Sequence, residues 1–220
     1  MQHPFTKSGR PPAAVIFDLD GTLVDSRDDI AASINEGLAG VGAARRPDAV
    51  IHPLIGRPLV EMFERLLPPR LVERSEEAAA LYRAHYFDNC SRNSRIFPGV
   101  IDCLESLAGV PLAVATTKAT FQAVRVAEEL GLERYFELVQ GTDDLPFKPD
   151  PAVIELVLGR LGMPAEECWM VGDTVHDLQA GRSAGLSTCA VTYGIGDAKD
   201  LSAEAPDLLL DSLADLPRVL

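Results

Sequence analysis

The sequence predicts an α/β protein with a doubly wound, mostly parallel sheet. Short apolar runs recur along the chain, and helical patterns of about ten residues separate them. Each run is continuous rather than alternating, as in strands that are buried on both faces. Strands that alternate with helices in this way form parallel βαβ units, whose ligands bind at the carboxyl ends of the strands. The runs are 13–17 (AAVIF), 111–116 (PLAVAT), 168–172 (CWMVG), 187–193 (STCAVTY), 207–210 (DLLL) and, more weakly, 136–140.

Helical periodicity fills the intervals between these strands. Three glycines stand where a helix would end on a residue with left-handed backbone: Gly131, Gly162 and Gly185. The helices predicted between strands are 100–107, 121–130, 152–161 and 178–184.

One long stretch after the first strand breaks the alternation, because it shows helical periodicity and no convincing strand. Ser26 and Asp29 are spaced as a capping box at its first helix, and further helices are predicted at 59–67 and 71–90. We expect this stretch to be a helical domain inserted into the sheet domain. The predicted organisation is a flexible tail (1–12), a sheet domain (13–24 and 94–220) and a helical domain (25–93).

Composition narrows the classes of function. At 220 residues and 47% hydrophobic content, the chain is long enough to bury a substantial core. A net charge of −13 argues against nucleic-acid partners, which need a concentrated positive surface. No apolar run approaches the roughly 20 residues of a membrane helix, and the N-terminus lacks the apolar stretch of a secretion signal. We therefore expect a cytoplasmic protein without membrane or nucleic-acid partners, and reduced cysteines, because the four cysteines show no CxxC spacing.

The first candidate site follows the first strand directly. Asp18 and Asp20 leave the strand two residues apart, and Gly21 permits a sharp turn, so both carboxylates can face one small site. Close carboxylates repel each other, and a positive group is therefore expected between them. The alternatives are a helix-capping turn or a calcium loop, but the further oxygen ligands and late glutamate of a calcium loop are missing.

The second candidate follows the run CWMVG. Asp173 and Asp177 lie four residues apart, so at the start of a helix they would share one face and point at the same cation. The alternative is that Asp173 or Thr174 merely caps the following helix.

Two further segments are suited to phosphoryl oxygens. Thr116, Thr117 and Lys118 end a predicted strand, and Lys148 precedes a proline. Hydroxyl groups beside helix N-termini and the compact charge of lysine both bind phosphate. Ordinary capping threonines and a solvated turn are the alternatives, although two of only four lysines in the chain stand at these predicted strand ends.

Taken together, the four motifs resemble those of the haloacid dehalogenase superfamily. DLDGTLVDS at 18–26, the threonine at 116, the lysine at 148 and GDTVHD at 172–177 match in order and position. The resemblance covers nearly the whole chain and implies a Rossmann-like core, with residues 25–93 as an inserted helical cap. FPGV from Phe97 and VTYGIGD from Val191 are most similar to the phosphoglycolate phosphatase group.

The resemblance also implies a mechanism. Asp18 would attack phosphorus to form an aspartyl-phosphate, and Asp20 would protonate the leaving oxygen and later activate water. Mg²⁺ would be held by Asp18, the backbone carbonyl of Asp20 and Asp173, with Asp177 supporting that shell.

The remaining site residues are implied by the same resemblance. Thr116, Thr117 and Lys148 would bind the phosphoryl group, while Lys118 and Arg57, in a loop of the cap, would contribute to substrate specificity. The cap would close over the site on hinges near 24–25 and 93–94.

The expected reaction is hydrolysis of a small phosphorylated metabolite. Dehalogenases of the superfamily lack the second aspartate, which is present here, and phosphonate-cleaving relatives need a cap lysine, which is absent between Thr22 and Arg95. A sugar phosphomutase and a noncatalytic phosphate-binding module are the alternatives. The sequence leaves open whether the protein is a monomer or a dimer.

Overall fold

The computed structural model describes residues 11–220, so most of the predicted flexible tail, 1–12, lies outside the described residues. The chain forms two compact units. One comprises the described residues up to Val24 together with Ile96–Leu220, and the other is Asp25–Arg95. The assignment of the second unit as a cap stays a prediction.

The first unit is built on a six-stranded sheet in which every pairing is parallel. This confirms the predicted fold class. The strands, numbered along the chain, are β1 (Ala14–Phe17), β2 (Val24–Asp25), β3 (Arg95–Ile96), β4 (Leu112–Thr116), β5 (Leu138–Gly141), β6 (Cys168–Gly172), β7 (Ser187–Val191) and β8 (Leu208–Leu210). The sheet has the order β5-β4-β1-β6-β7-β8, and β2 pairs with β3 in a separate two-stranded sheet.

The strand order determines where the site lies. β1 is central, with β4 on one side and β6 on the other, and Phe17 is in register with Val114 and Val171. All four residues of β1 are fully buried, as its continuous apolar sequence requires. Because the three strands are parallel, the residues that follow them, Asp18 and Asp173 among them, emerge at one edge of the sheet.

The helices of this unit agree with the predicted pattern. The left-handed backbone predicted at Gly131, Gly162 and Gly185 is present, with φ of 67°, 67° and 86°. One helix, Ala198–Ala203, was not predicted. Within residues 11–220, no helix is both long and apolar enough to cross a bilayer. The helices of this unit are α5 (Val100–Ser106), α6 (Thr120–Glu129), α7 (Ala152–Leu161), α8 (Val175–Ser183) and α9 (Ala198–Ala203).

The second unit contains four α-helices, of which the short helix Asp48–Ile51 was not predicted. The predicted helix 71–90 begins instead as a 3₁₀ turn at Pro69–Arg74, and its α-helical part starts at Ser75. The helices are α1 (Arg27–Gly40), α2 (Asp48–Ile51), α3 (Leu59–Leu66) and α4 (Ser75–Asn89).

The predicted capping box at the start of α1 is wrong. The Ser26 side chain makes no cap hydrogen bond. The buried carboxylate of Asp29 instead accepts hydrogen bonds from the backbone N–H groups and side chains of Asn93 and Ser94, at 2.8 to 3.0 Å. Asp29 therefore joins the start of α1 to the end of the same unit, a long-range role that spacing does not reveal.

Candidate active site

Asp18 and Lys148 form a buried ion pair at the carboxyl end of β1. Lys148 Nζ donates to Asp18 Oδ1 at 2.6 Å and to the backbone carbonyl of Ala115, at the end of β4, at 3.0 Å. It also contacts the Asp177 carboxylate. Burial alone would lower the pKa of Lys148, but the carboxylates of Asp177 and Asp18 more than offset this and hold it above its ordinary value. Lys148 is therefore a permanent cation beside Asp18.

Three carboxylates converge at this point. Oxygen atoms of Asp18, Asp173 and Asp177 lie within 4.8 Å of one another, and all three residues are buried. Burial raises the pKa of Asp18 well above its ordinary value, with Lys148 opposing the shift and Asp177 and Asp173 adding to it. Burial and the neighbouring Asp177 likewise raise the pKa of Asp173 to about 7. Three buried carboxyl groups thus lie close together, and the Lys148 ammonium contacts two of them.

This donor set fits a divalent cation. Carboxylate oxygens are hard ligands of the kind that Mg²⁺ prefers, and their mutual spacing allows more than one of them to reach the same ion. A bound cation would also counter the burial and the carboxylate repulsion that raise the pKa values of Asp18 and Asp173. The geometry brings together Asp18, Asp173 and Asp177, all of which the sequence analysis singled out, and their role as a metal site stays a prediction.

Asp177 has two structural roles besides its place in this cluster. The side chain of Thr174, the residue before α8, accepts from the Asp177 N–H, and Asp177 Oδ2 accepts from Thr174 N at 3.0 Å. This reciprocal pair is a capping box. The other carboxylate oxygen of Asp177, Oδ1, contacts Lys148. Thr174 therefore caps the helix, as the alternative interpretation of the sequence has it, and this cap fixes Asp177 beside Lys148. The role of Asp177 at a metal site stays a prediction.

Asp20 lies beside a different lysine. Lys118 Nζ is 3.2 Å from Asp20 Oδ2, and both side chains are largely buried. The Lys118 N–H donates to Thr116 Oγ1 at 3.3 Å, and its carbonyl accepts from Thr142 N at 3.1 Å, so its backbone is held on both sides. Lys118 thus joins the loop after β4 to the loop after β1.

The two threonines of the predicted phosphate site end β4. Thr116 is buried at the last position of the strand, and Thr117 is half-buried directly after it. Arg57 lies in the second unit, where its guanidinium donates to Glu61 Oε1 at 3.0 Å, an oxygen that Arg65 Nε also contacts at 2.9 Å.

The sequence interpretation missed the groups that hold Asp173. Thr22 Oγ1 donates to Asp173 Oδ1 at 2.8 Å, and the N–H of Ile195 donates to Oδ2 at 2.7 Å. A Cβ on Gly194 would lie 2.3 Å from the same Oδ2. The segment VTYGIGD was read only as a family marker, although two glycines so close together signal a close approach of the backbone to another group.

Comparisons with known proteins identify the family of this chain. The family model for haloacid dehalogenase-like hydrolases matches residues 15–191. Phosphoglycolate phosphatase 1 of Pseudomonas aeruginosa is 36% identical over 219 residues, covering 94% of this chain and 79% of the relative. Pyrophosphatase PpaX of Bacillus velezensis is 36% identical over 208 residues, covering 92% and 94%.

A solved structure gives the same result. The structure of a hydrolase of the haloacid dehalogenase-like family from Streptococcus pneumoniae superposes with a TM-score of 0.83 at 30% identity, covering 92% of this chain and 95% of that one. The region that the family model matches, 15–191, includes Asp18, Asp20, Asp173 and Asp177 and, apart from Ala14 and β8, the whole six-stranded sheet. The chain therefore belongs to the haloacid dehalogenase-like hydrolase family, as an enzyme of the phosphatase type similar to phosphoglycolate phosphatases.

Proposed function

We propose that this protein is a Mg²⁺-dependent hydrolase of small phosphomonoesters that works through an aspartyl-phosphate on Asp18. The observation that supports this most is the Asp18–Lys148 pair, 2.6 Å apart, inside a cluster of buried carboxylates at the end of the central strand. A carboxylate held beside a fixed cation is a suitable nucleophile, because the approaching phosphate is then attracted as well as repelled.

The first step transfers the phosphoryl group to the protein. An oxygen of Asp18 forms a bond to phosphorus while the bond from phosphorus to the ester oxygen breaks. Asp20, in its protonated form, gives its proton to the leaving oxygen, so that an alcohol rather than an alkoxide departs. Lys148 and the hydroxyl groups of Thr116 and Thr117 would bind the phosphoryl oxygens.

The second step releases inorganic phosphate. Asp20, now a carboxylate, takes a proton from a water molecule whose oxygen attacks phosphorus. The bond from phosphorus to the Asp18 oxygen breaks, and the Asp18 carboxylate is restored. Lys118 Nζ, 3.2 Å from Asp20 Oδ2, would hold the Asp20 side chain in place during both steps.

Mg²⁺ is proposed as the metal because the cluster of Asp18, Asp173 and Asp177 offers carboxylate oxygens as ligands. Asp18, Asp173 and the backbone carbonyl of Asp20 would hold Mg²⁺, and Asp177 would support them through Lys148. When bound, Mg²⁺ supplies charge neutralisation on the phosphoryl oxygens and on the cluster itself.

The substrate is proposed as a small phosphorylated metabolite. The names of two relatives, phosphoglycolate phosphatase and pyrophosphatase, mark two compounds to test first. Arg57 and Lys118 are the residues proposed to influence the choice between them, since guanidinium and ammonium groups bind a second anionic group of a substrate. A cytoplasmic location accords with such metabolites and remains part of the proposal.

The test is a phosphate-release assay with Mg²⁺ on phosphoglycolate, pyrophosphate, sugar phosphates, nucleoside monophosphates and p-nitrophenyl phosphate. We expect turnover that EDTA abolishes and that Asp18→Asn reduces by orders of magnitude. Interconversion of sugar phosphates without phosphate release would favour the phosphomutase alternative. A wild-type protein inert towards every substrate would favour the noncatalytic one, and either result would overturn the proposal.

A further inference from the structure

Tyr193 lies at the end of a chain of hydrogen bonds that leads to Asp173. The Tyr193 hydroxyl donates to the backbone carbonyl of Thr22 at 2.7 Å. The Thr22 side chain in turn donates to Asp173 Oδ1 at 2.8 Å. The N–H of Ile195, two residues after Tyr193, donates to Asp173 Oδ2 at 2.7 Å. The segment 193–196 thus acts on both oxygens of the Asp173 carboxylate. It contacts Oδ2 directly and reaches Oδ1 through Thr22.

Packing holds this segment in place. The Tyr193 ring contacts the Phe97 ring with centroids 4.7 Å apart. Gly194 and Gly196 bring the backbone against Asp173 so closely that a Cβ would lie 2.3 Å from its Oδ2 and 2.0 Å from its backbone oxygen, respectively. No other residue type would fit without displacing Asp173, so the segment is shaped around this carboxylate.

The hydroxyl of Tyr193 is a reliable donor in this environment. Burial, with the nearby Asp173 adding to it, raises the pKa of Tyr193 above its ordinary value, so the phenol stays protonated at neutral pH. Thr22 is fully buried, and its carbonyl therefore depends on a protein donor such as this hydroxyl.

We propose that Tyr193 is a positioning residue for the divalent cation, acting through Thr22 to fix the orientation of the Asp173 carboxylate. This inference rests on the proposed function, because it presumes that Asp173 is a metal ligand. Groups that hydrogen-bond to a metal ligand fix its orientation. Removing such a group typically weakens metal binding by about 10- to 100-fold.

Calorimetric titration of the metal-free protein with MgCl₂ tests the proposal without any substrate. Tyr193→Phe removes only the hydroxyl and keeps the ring on Phe97. Thr22→Val removes the next donor with little change of shape. Tyr135→Phe is the matched control, because its hydroxyl lies on the surface beside Arg134 and Glu105.

We expect Tyr193→Phe to raise the dissociation constant of Mg²⁺ about 10-fold and Tyr135→Phe to leave it unchanged. Thr22→Val should have a similar effect to Tyr193→Phe. Because both residues act along one path, the double variant should bind Mg²⁺ about as weakly as the weaker single variant. The rise in melting temperature on adding Mg²⁺ should shrink in the same variants.

Each other outcome contradicts the proposal in a recognisable way. A Tyr193→Phe protein that binds Mg²⁺ as the wild type does overturns the role of Tyr193 and leaves the proposed function intact. Effects that multiply in the double variant overturn the path through Thr22. A wild-type protein that binds no Mg²⁺ overturns the proposed metal site, and this inference with it.

Discussion

Lys148 and Asp18 lie 130 residues apart in the sequence and are joined by a 2.6 Å hydrogen bond in a buried site. The same ammonium group contacts Asp177, in the first turn of α8, and the carbonyl of Ala115 in β4. One lysine therefore connects β1, β4 and α8 at the edge of the sheet where the chemistry is proposed. Because Lys148 contacts the proposed nucleophile directly, changes at Lys148 should affect both catalysis and stability.

Replacing Lys148 by methionine keeps the length of the side chain and removes its charge. Asp18 and Asp177 would then lose a buried partner, a change that typically costs about 3 to 5 kcal/mol of stability. We expect kcat/KM for p-nitrophenyl phosphate to fall by at least about 100-fold. Lys199→Met is the control, because Lys199 is exposed on α9 and should tolerate the change. Equal activity of the two variants would refute the role given to Lys148.

Adding a divalent cation should stabilise the fold as well as support catalysis. The buried carboxylates repel one another, and a ligand that binds only the folded state raises the free energy of unfolding, by about 2.7 kcal/mol at 100 times its dissociation constant. We expect MgCl₂ to raise the melting temperature of the wild type and to do so much less for Asp173→Asn. Asp215→Asn, an exposed position, should respond like the wild type. A wild type that Mg²⁺ does not stabilise would argue against the metal site.

A methyl group at Gly194 should disturb Asp173 directly. Its Cβ would lie 2.3 Å from Asp173 Oδ2, which is far inside contact distance, so the carboxylate must move. We expect Gly194→Ala to weaken Mg²⁺ binding about 10-fold or more and to lower activity accordingly. Gly159→Ala is matched to it, because a Cβ on that helical glycine meets nothing within 4 Å. The control should be as active as the wild type and stabilised by up to about 1 kcal/mol.

The buried thiol of Cys168 should make the fold less stable at alkaline pH. Burial raises the pKa of Cys168 from 9.0 to about 11. Below pH 9 the thiol is protonated in both states, so its contribution to stability is complete. Between pH 9 and 11 the thiol ionises in the unfolded chain alone, which favours unfolding by up to about 1.4 kcal/mol per pH unit.

Urea unfolding measured from pH 8 to pH 11 checks this. Tyrosine and lysine residues titrate in the same range, so the informative quantity is the difference between the wild type and Cys168→Ala. We expect the variant to lose stability less steeply with pH than the wild type. Parallel curves for the two proteins would show that Cys168 ionises equally in both states.

The fold and the acidic part of the site could be predicted because they depend on local pattern. Continuous apolar runs identified the strands of the sheet, and the residues directly after β1 and β6 included Asp18 and Asp173. Parallel strands place their carboxyl ends together, so the meeting of these two carboxylates follows from topology alone.

Pairings between distant side chains could not be predicted in this way. The link between Lys118 and Asp20 depends on the reach and rotamers of both side chains, which sequence spacing does not determine. The network of Tyr193, Thr22 and Asp173 likewise depends on how one loop packs against another. Asp29 shows the same limit, since local spacing favoured a helix cap and a long-range contact with Asn93 and Ser94 prevailed.

The most direct test of the account is to look for a phosphoryl group on Asp18. Asp20→Asn should be mixed with p-nitrophenyl phosphate and Mg²⁺ and quenched in acid, followed by mass spectrometry of the peptides. The p-nitrophenolate leaves without needing a proton, so the first step should proceed while the second lacks its base. We predict one phosphoryl group on the peptide that contains Asp18, and none in Asp18→Asn. Full turnover by Asp18→Asn, or a phosphoryl group on another residue, would contradict the central claim.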